Sequence, residues 1–445
     1  MLIEALQRSA VARPSHPAMV IGTATTSWHE LELVAQRLQA EHQKFAGRRV
    51  ALRFAPVRQS YALLFALEAM RADAVLLDSR MSQAEAEERG RESGAAVLLS
   101  PDEATEGMRV QELPDEAQSS GLATVTILTS GSTGRPKSTI HTWASLSRPV
   151  RRVEPDSAPR WLQTYRPSLY AGLQVFLQCV ANGGTLYVPL EQWTAAQTAH
   201  FIAEHGVECV SGTPSWWRRL LLFSTPDVLK RMQLRQITLG GEAADQEILN
   251  GLRTCFPAAR IVHIYATTEL GRCFAVGDGR EGFPARFLDE ISTDGVEMRV
   301  VQDELFVRSA NSMVRPAQSA SEDGWIATGD LVGIDGERVL FRGRKTEIIN
   351  VGGNKVHPLE VERVIRSVAG VADVRVFGRR SSVAGQLVAC ELVSDGRCHD
   401  EDLQQAVLRT CRASLAAHQW PRLLRIVERI ALSPAQKMVR GGLQA

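Results

Sequence analysis

Through the first two thirds of the chain, short apolar runs alternate with segments of helical periodicity, and this alternation narrows the possible folds more than any other feature. Val50–Phe54, Ala74–Asp78, Ala96–Leu99, Val125–Leu128 and Thr185–Val188 read as strands, with Ser60–Met70, Met81–Glu92 and Leu173–Val180 reading as helices between them. Apolar strands separated by helices favour an α/β architecture with parallel strands. Pro101–Gly121, rich in acidic residues, reads as a surface loop before the next strand, and Gly277–Gly295 as a second loop-rich zone.

The last hundred residues read differently, as a small α+β unit. Glu347–Val356 has the pattern of a hairpin around Gly352-Gly353, and Pro358 stands where a helix begins. Strands are expected at Val371–Phe377 and Gln386–Val393, then a helix Leu403–Leu415 with Asp400 as its N-cap. The division is expected at 345/346, giving a large unit 1–345 and a small unit 346–445. At 445 residues the chain suits two or three units of about 150 residues.

Charge and cysteine usage exclude several classes. With 51 basic and 50 acidic residues the chain has a net charge of +1, which argues against a nucleic-acid binder and against disorder. No apolar run reaches the roughly 18 residues of a membrane span. Glu4 and Arg8 interrupt the N-terminal apolar stretch, so no secretory signal is expected. Seven scattered cysteines without a CxxC pair point to a reducing, cytoplasmic setting and no metal cage. Only six of the basic residues are lysines, which draws notice to each.

One lysine closes the segment Thr129-Ser130-Gly131-Ser132-Thr133-Gly134-Arg135-Pro136-Lys137, directly after a strand. Small residues let main-chain N–H groups turn inward, hydroxyls donate to phosphate oxygens, and Lys137 adds a cation. The Walker spacing is absent, and taken alone the segment also fits an ordinary Ser/Gly loop. Ile264-Tyr265-Ala266-Thr267-Thr268-Glu269 follows a strand and combines an aromatic, hydroxyls and a carboxylate able to hold Mg2+. A strand end before a capped helix fits it equally. Thr328-Gly329-Asp330 offers a carboxylate to ribose hydroxyls or is a structural turn. Lys437, in Ser433–Arg440, is on its own merely a tail charge.

Together and in this order, these segments resemble the adenylate-forming superfamily, the acyl- and aryl-CoA synthetases and their relatives. The resemblance runs over nearly the whole chain. It begins at Thr26-Ser27-Trp28-His29-Glu30-Leu31 and continues through the phosphate loop and Leu239-Gly240-Gly241-Glu242. Further on it includes Tyr265–Glu269, Glu304–Val307, Thr328–Asp330, Gly343–Glu362 and Lys437-x-x-Arg440. It implies a large N-terminal α/β adenylate-forming domain and a small C-terminal α+β domain that rotates about a hinge.

By the same resemblance, Thr129, Ser130, Gly131, Ser132, Thr133, Gly134 and Lys137 hold the ATP phosphates. Tyr265 stacks on adenine, with Gly240, Gly241, Glu242, Ala243, Ala266 and Thr267 around it. Thr268 binds phosphate, Glu269 supports Mg2+, Asp330 binds ribose, and Arg344 reaches the nucleotide near the hinge. Lys437 is the lysine of the adenylation step. Leu169, Tyr170, Gly172 and Gly240 fall where the acid pocket is shaped, and Gly352 and Gly353 where a pantetheine arm passes. His141, His263 and His357 are read as structural histidines, and Trp216 and Trp217 as packing residues.

Several positions depart from the family pattern. Ala266, Ser138 and Gln436 stand where glycines are usual, Thr346 occupies the hinge position, and Leu169 replaces a frequent histidine. The absence of an aspartate near Leu169 disfavours an amino acid substrate. The expected activity is ATP- and Mg2+-dependent activation of a small carboxylic acid as acyl-AMP, then transfer to a thiol, with CoA favoured. An enzyme loading the phosphopantetheine of a separate acyl carrier protein is the alternative. A degenerate nucleotide-binding protein is another, as is a luciferase-type monooxygenase.

Overall fold

The computed structural model describes residues 2–102, 104–114, 121–129, 137–154, 157–292, 295–309, 323–381, 385–433 and 435–440. Among these residues the strands form four sheets. One has the order Gly107–Glu112, Val97–Asp102, Arg49–Phe54, Asp73–Asp78, Thr124–Thr129, Lys137–Thr142. The largest runs Gly271–Val276, Arg260–Thr267, Gln236–Gly240, Cys209–Gly212, Arg160–Leu162, Thr185–Val188, Pro17–Ile21, Ala24–Ser27. Both are parallel in their interiors, as the βα alternation predicts. Both end in antiparallel strands at each edge, which the alternation does not reveal. Each edge strand follows its neighbour through a short connection, and a short connection can only reverse direction.

The helices obey local sequence rules. Ser27 and Glu30 form a reciprocal capping box at the start of Trp28–Glu41, with Glu30 N–H donating to Ser27 Oγ at 3.2 Å and Ser27 N–H to Glu30 Oε2 at 2.7 Å. Trp28, Leu31, Ala35 and Leu38 then fall on one buried face. The core continues through Phe54, Tyr61, Phe176 and Phe65, whose rings meet at 5.2, 5.2 and 5.6 Å between centroids. Trp217 is fully buried and Trp216 packs edge-on against it at 5.0 Å, so both are packing residues as expected.

A third sheet, from Phe283–Pro284 to Ile326–Asp335 and Arg338–Arg344, carries the chain toward the small unit. The fourth contains the hairpin Ile349–Val351 and Asn354–Val356, then Val371–Ser381, Gly385–Ser394 and Leu423–Ile426. Pro358 opens the helix Pro358–Arg366 at its first turn, as read from the sequence. Two expectations need correction. Asp400 is the first residue of the helix Asp400–Ser414, with His399 preceding it, so its charge favours the helix N-terminus without capping it. The acidic stretch after Pro101 contains the edge strand Gly107–Glu112, whose outward exposure hides it from a burial pattern. The Gly277–Gly295 zone is loop-rich among its described residues, as expected, and is anchored by Phe283, fully buried in a two-residue strand. No helix among the described residues is long and apolar enough to cross a membrane.

Candidate active site

The C-terminal ends of the central strands in the largest sheet supply one wall of a cleft. Arg260–Thr267 places Tyr265, Ala266 and Thr267 at its end, with Thr268 and Glu269 just beyond. Thr267 Oγ1 accepts the Leu270 N–H at 3.1 Å, closing the turn. His141 Nε2 lies 2.7 Å from the Thr268 carbonyl oxygen and fixes that segment from the neighbouring sheet. Burial pushes the His141 imidazole below its ordinary range, so it is neutral and donates this bond from Nε2–H. Ala266 has an ordinary backbone conformation, so alanine stands in place of glycine there without strain.

Asp330 is the meeting point of the nucleotide candidates. The Tyr265 hydroxyl donates to its Oδ2 at 2.6 Å and Arg344 Nε to its Oδ1 at 2.8 Å. Arg344 Nη2 also donates to the Thr328 carbonyl at 3.2 Å. Gly329 turns with φ +74°, its N–H donating to Glu304 Oε1 at 3.0 Å, and this aims Asp330 inward. Burial, with the Asp330 carboxylate beside it, holds the Tyr265 phenol well above its usual pKa, so it remains a donor. Its ring packs against Phe274 and Phe341, both at 5.3 Å between centroids. Each Asp330 oxygen keeps a further lone pair for a ribose hydroxyl.

Lys437 reaches this cleft from the C-terminal tail. Ser433 and Lys437 close a turn through Ser433 N–H to Lys437 O at 2.7 Å, and Gln436 at its corner has φ +58°. Thr213 Oγ1 donates to the Gln436 carbonyl and the Met438 N–H donates to Glu242 Oε1, each at 2.5 Å. The lysine side chain then lies over Gly241, where a Cβ would stand 3.0 Å from Lys437 Cε. Gly241 itself has φ +87°. The crevice desolvates the Lys437 ammonium and Arg344 repels it, so its pKa falls below the ordinary lysine range although Glu242, Asp330 and Glu269 pull the other way. Met438 is buried with Val393, Ile430 and Leu222. Beyond it, Arg440 grips the buried Glu362 at 2.9 and 2.8 Å.

The structure thus brings Lys437, Gly240, Gly241, Glu242, Tyr265, Glu269, Asp330 and Arg344 to one cleft, with Thr268 tied to His141. Ala243 is exposed beside Glu242. Thr129 and Lys137 pair across the ladder, but Ser130, Gly131, Ser132, Thr133 and Gly134 lie outside the described residues. Leu169 precedes the helix Tyr170–Ala181, and Tyr170 packs against His141 at 5.6 Å. Gly172 is buried, and a Cβ there would stand 2.0 Å from the Arg166 carbonyl oxygen, so close backbone approach explains this glycine. Gly352 and Gly353 lie on the exposed hairpin of the small sheet, in a shallow groove with Asn350, Arg380 and Gln386, apart from the residues around Lys437. Sequence reasoning missed Thr213. Its only signal is Thr213-Pro214, an N-cap before a first-turn proline.

Among the described residues no group of three or more His, Cys, Asp or Glu side chains is placed to cage a metal. A lone carboxylate such as Glu269 fits Mg2+, which binds through one or two carboxylates plus substrate phosphates.

Comparison with known proteins agrees with this geometry. Residues 6–308 match the family model of the AMP-binding enzyme, and residues 360–437 match that of the AMP-binding enzyme C-terminal domain. The p-hydroxybenzoic acid–AMP ligase FadD22 of Mycobacterium tuberculosis is 28% identical over 338 residues, 71% of this chain and 48% of that protein. The chain therefore spans about half the length of that relative. A 2-succinylbenzoate–CoA ligase of Listeria monocytogenes is 23% identical over 472 residues, covering 99% of this chain and 98% of that one. The structure of the anthranilate CoA ligase AuaEII with anthranoyl-AMP superposes with a TM-score of 0.80 at 17% identity, covering 98% of this chain and 95% of that one.

Proposed function

The chain belongs to the AMP-binding enzyme family, and from that premise we propose that it activates a small carboxylic acid with ATP and passes the acyl group to a thiol, with CoA the favoured acceptor. The observation that carries this reading is Lys437, delivered by the tail to the rim of Gly241 and facing the cleft of Asp330, Arg344 and Glu269. In the first step a carboxylate oxygen attacks the α-phosphorus, an O–P bond forms, and the bond to pyrophosphate breaks. Both reactants are anionic. The Lys437 ammonium lies where it offsets that repulsion and stabilises charge spreading over the phosphoryl oxygens. Asp330 orients the ribose, and Arg344 holds the Asp330 carboxylate in place through its Nε donor at 2.8 Å. Mg2+, supported by Glu269, would supply further charge neutralisation at the phosphates.

In the second step a thiol attacks the acyl carbon, AMP departs and a thioester remains. Residues 346–445 act as the mobile unit and 1–345 as the fixed one, with Gly352 and Gly353 carried toward the acyl group. The named relatives act on aromatic acids, which supports an aryl carboxylic acid as the first class to test. The test is acid-dependent ATP–pyrophosphate exchange over aryl, short-, medium- and long-chain acids without thiol, followed by CoA and a phosphopantetheinylated carrier protein. Exchange with one acid class and product formation with CoA is expected. Nucleotide binding without exchange for any acid would overturn the reading in favour of a degenerate nucleotide binder.

A further inference from the structure

We propose that Glu242 and Thr213 form a preformed receptor on the large unit for the Lys437 turn, which makes Glu242 a positioning residue for adenylation and not a ligand of the nucleotide. This rests on the function proposed above. Both Glu242 carboxylate oxygens are engaged by main-chain donors: Oε2 accepts the Ser215 N–H at 3.0 Å and Oε1 the Met438 N–H at 2.5 Å. Thr213 is similarly divided. Its Oγ1 accepts the Trp216 N–H at 3.0 Å, capping the helix Pro214–Phe223, and donates to the Gln436 carbonyl at 2.5 Å.

Each receptor group therefore keeps one local bond that fixes its orientation and offers one bond to the tail. The local bonds survive when the tail withdraws, so the receptor need not reassemble on each cycle. The two tail bonds fall on Gln436 and Met438, the residues on either side of Lys437. They bracket the lysine through its main chain and leave its side chain over Gly241. A carboxylate spent on two N–H donors is also poorly placed to contact phosphates, which it would repel.

Other contacts also join the units, including Leu222 packed against Val393, Ile430 and Met438. Arg366 pairs with Asp245 at 3.2 Å, and Arg363 with Glu281 at 3.4 Å. Removing Glu242 should therefore misplace Lys437 and loosen the small unit against the large one without detaching it.

The test compares Glu242→Ala and Glu242→Gln with wild type in the full chain. Glu242→Ala should lower acid-dependent ATP–pyrophosphate exchange about ten- to a hundredfold through kcat, the scale of one charge-assisted hydrogen bond. KM for ATP, and thioester formation from preformed acyl adenylate, should stay within about twofold. Glu242→Gln, retaining one acceptor oxygen, should lie between. A second readout needs no chemistry. Cys255 and Cys398 are the exposed thiols, one in each unit, with the other five buried. Spin labels on this native pair report the distance between units, and Glu242→Ala should broaden that distribution relative to wild type. A raised KM for ATP at unchanged kcat, equal losses in both half-reactions, or an unaltered distance distribution would overturn the receptor. If wild type exchanges with no acid but the distribution still shifts on substitution, the adenylation reading fails while the receptor stands.

Discussion

Glu362→Gln is the sharpest test of how the Lys437 tail is anchored. Glu362 is completely buried on the helix Pro358–Arg366 and accepts four hydrogen bonds. They come from Val376 N–H at 2.9 Å, Arg366 Nη2 at 3.0 Å, and Arg440 Nε and Nη2 at 2.9 and 2.8 Å. Burial opposes its ionisation, but Arg440 and Arg366 outweigh burial and hold its carboxyl below the ordinary glutamate range. Glutamine preserves the shape and one acceptor. It removes the charge and turns an N–H2 donor toward guanidinium donors. Breaking one side of a buried ionic cluster costs about 3–5 kcal/mol. Arg366 retains Asp245 at 3.2 Å and Arg440 retains Glu347 at 3.7 Å, which places this case at the lower end, about 3 kcal/mol. Urea unfolding at pH 7, with hydrogen exchange read over residues 354–394, measures it. The native carboxyl titrates below its unfolded value, so its contribution is complete above the unfolded pKa and fades as pH falls through the native one. The gap between wild type and variant should therefore close on acidification. A gap under about 1 kcal/mol at pH 7, or one that persists undiminished after the carboxyl is protonated, would refute the reasoning.

Other outcomes follow from the same geometry. Lys437→Ala should lower adenylation on the order of 10²–10³-fold with ATP binding retained, as measured by exchange and by nucleotide titration. Because the ammonium is lost below the usual lysine range, wild-type adenylation should fall on the alkaline side earlier than an unperturbed lysine would allow, and Lys437→Arg should move that limb upward. Gln436→Gly relieves a left-handed backbone at φ +58° but adds freedom to the unfolded chain, so stability should change by less than about 1 kcal/mol and exchange should not slow. A tenfold loss would contradict that assignment. Gly172→Ala forces a methyl against the Arg166 carbonyl and should destabilise by about 1–3 kcal/mol in thermal unfolding, whatever acid is bound.

Much of the fold was legible because burial in parallel strands writes itself as apolar runs. The apolar run Thr185–Val188 coincides with its strand at both ends, and Pro358 marks its helix start. Gly107–Glu112 was missed because an edge strand facing solvent carries no such run. At the site, chemistry-bearing side chains such as Lys437, Asp330 and Tyr265 were visible as residue types in order. Glu242 is visible too, but its partners are main-chain N–H groups that no sequence displays. The left-handed corner at Gln436 was legible only as a departure from glycine, and the structure supplies the positive φ.

Arg344 ends its strand one residue before the turn Lys345–Glu347, and its guanidinium is already bound to Asp330. Lys345 in turn is tied to Glu304 at 3.1 Å. The fixed side of the proposed pivot is therefore the same structure that would grip the ribose. In the rotation proposed above, the small unit would swing beyond that grip, at Thr346, so that one face could be exchanged for another while the nucleotide stays clamped.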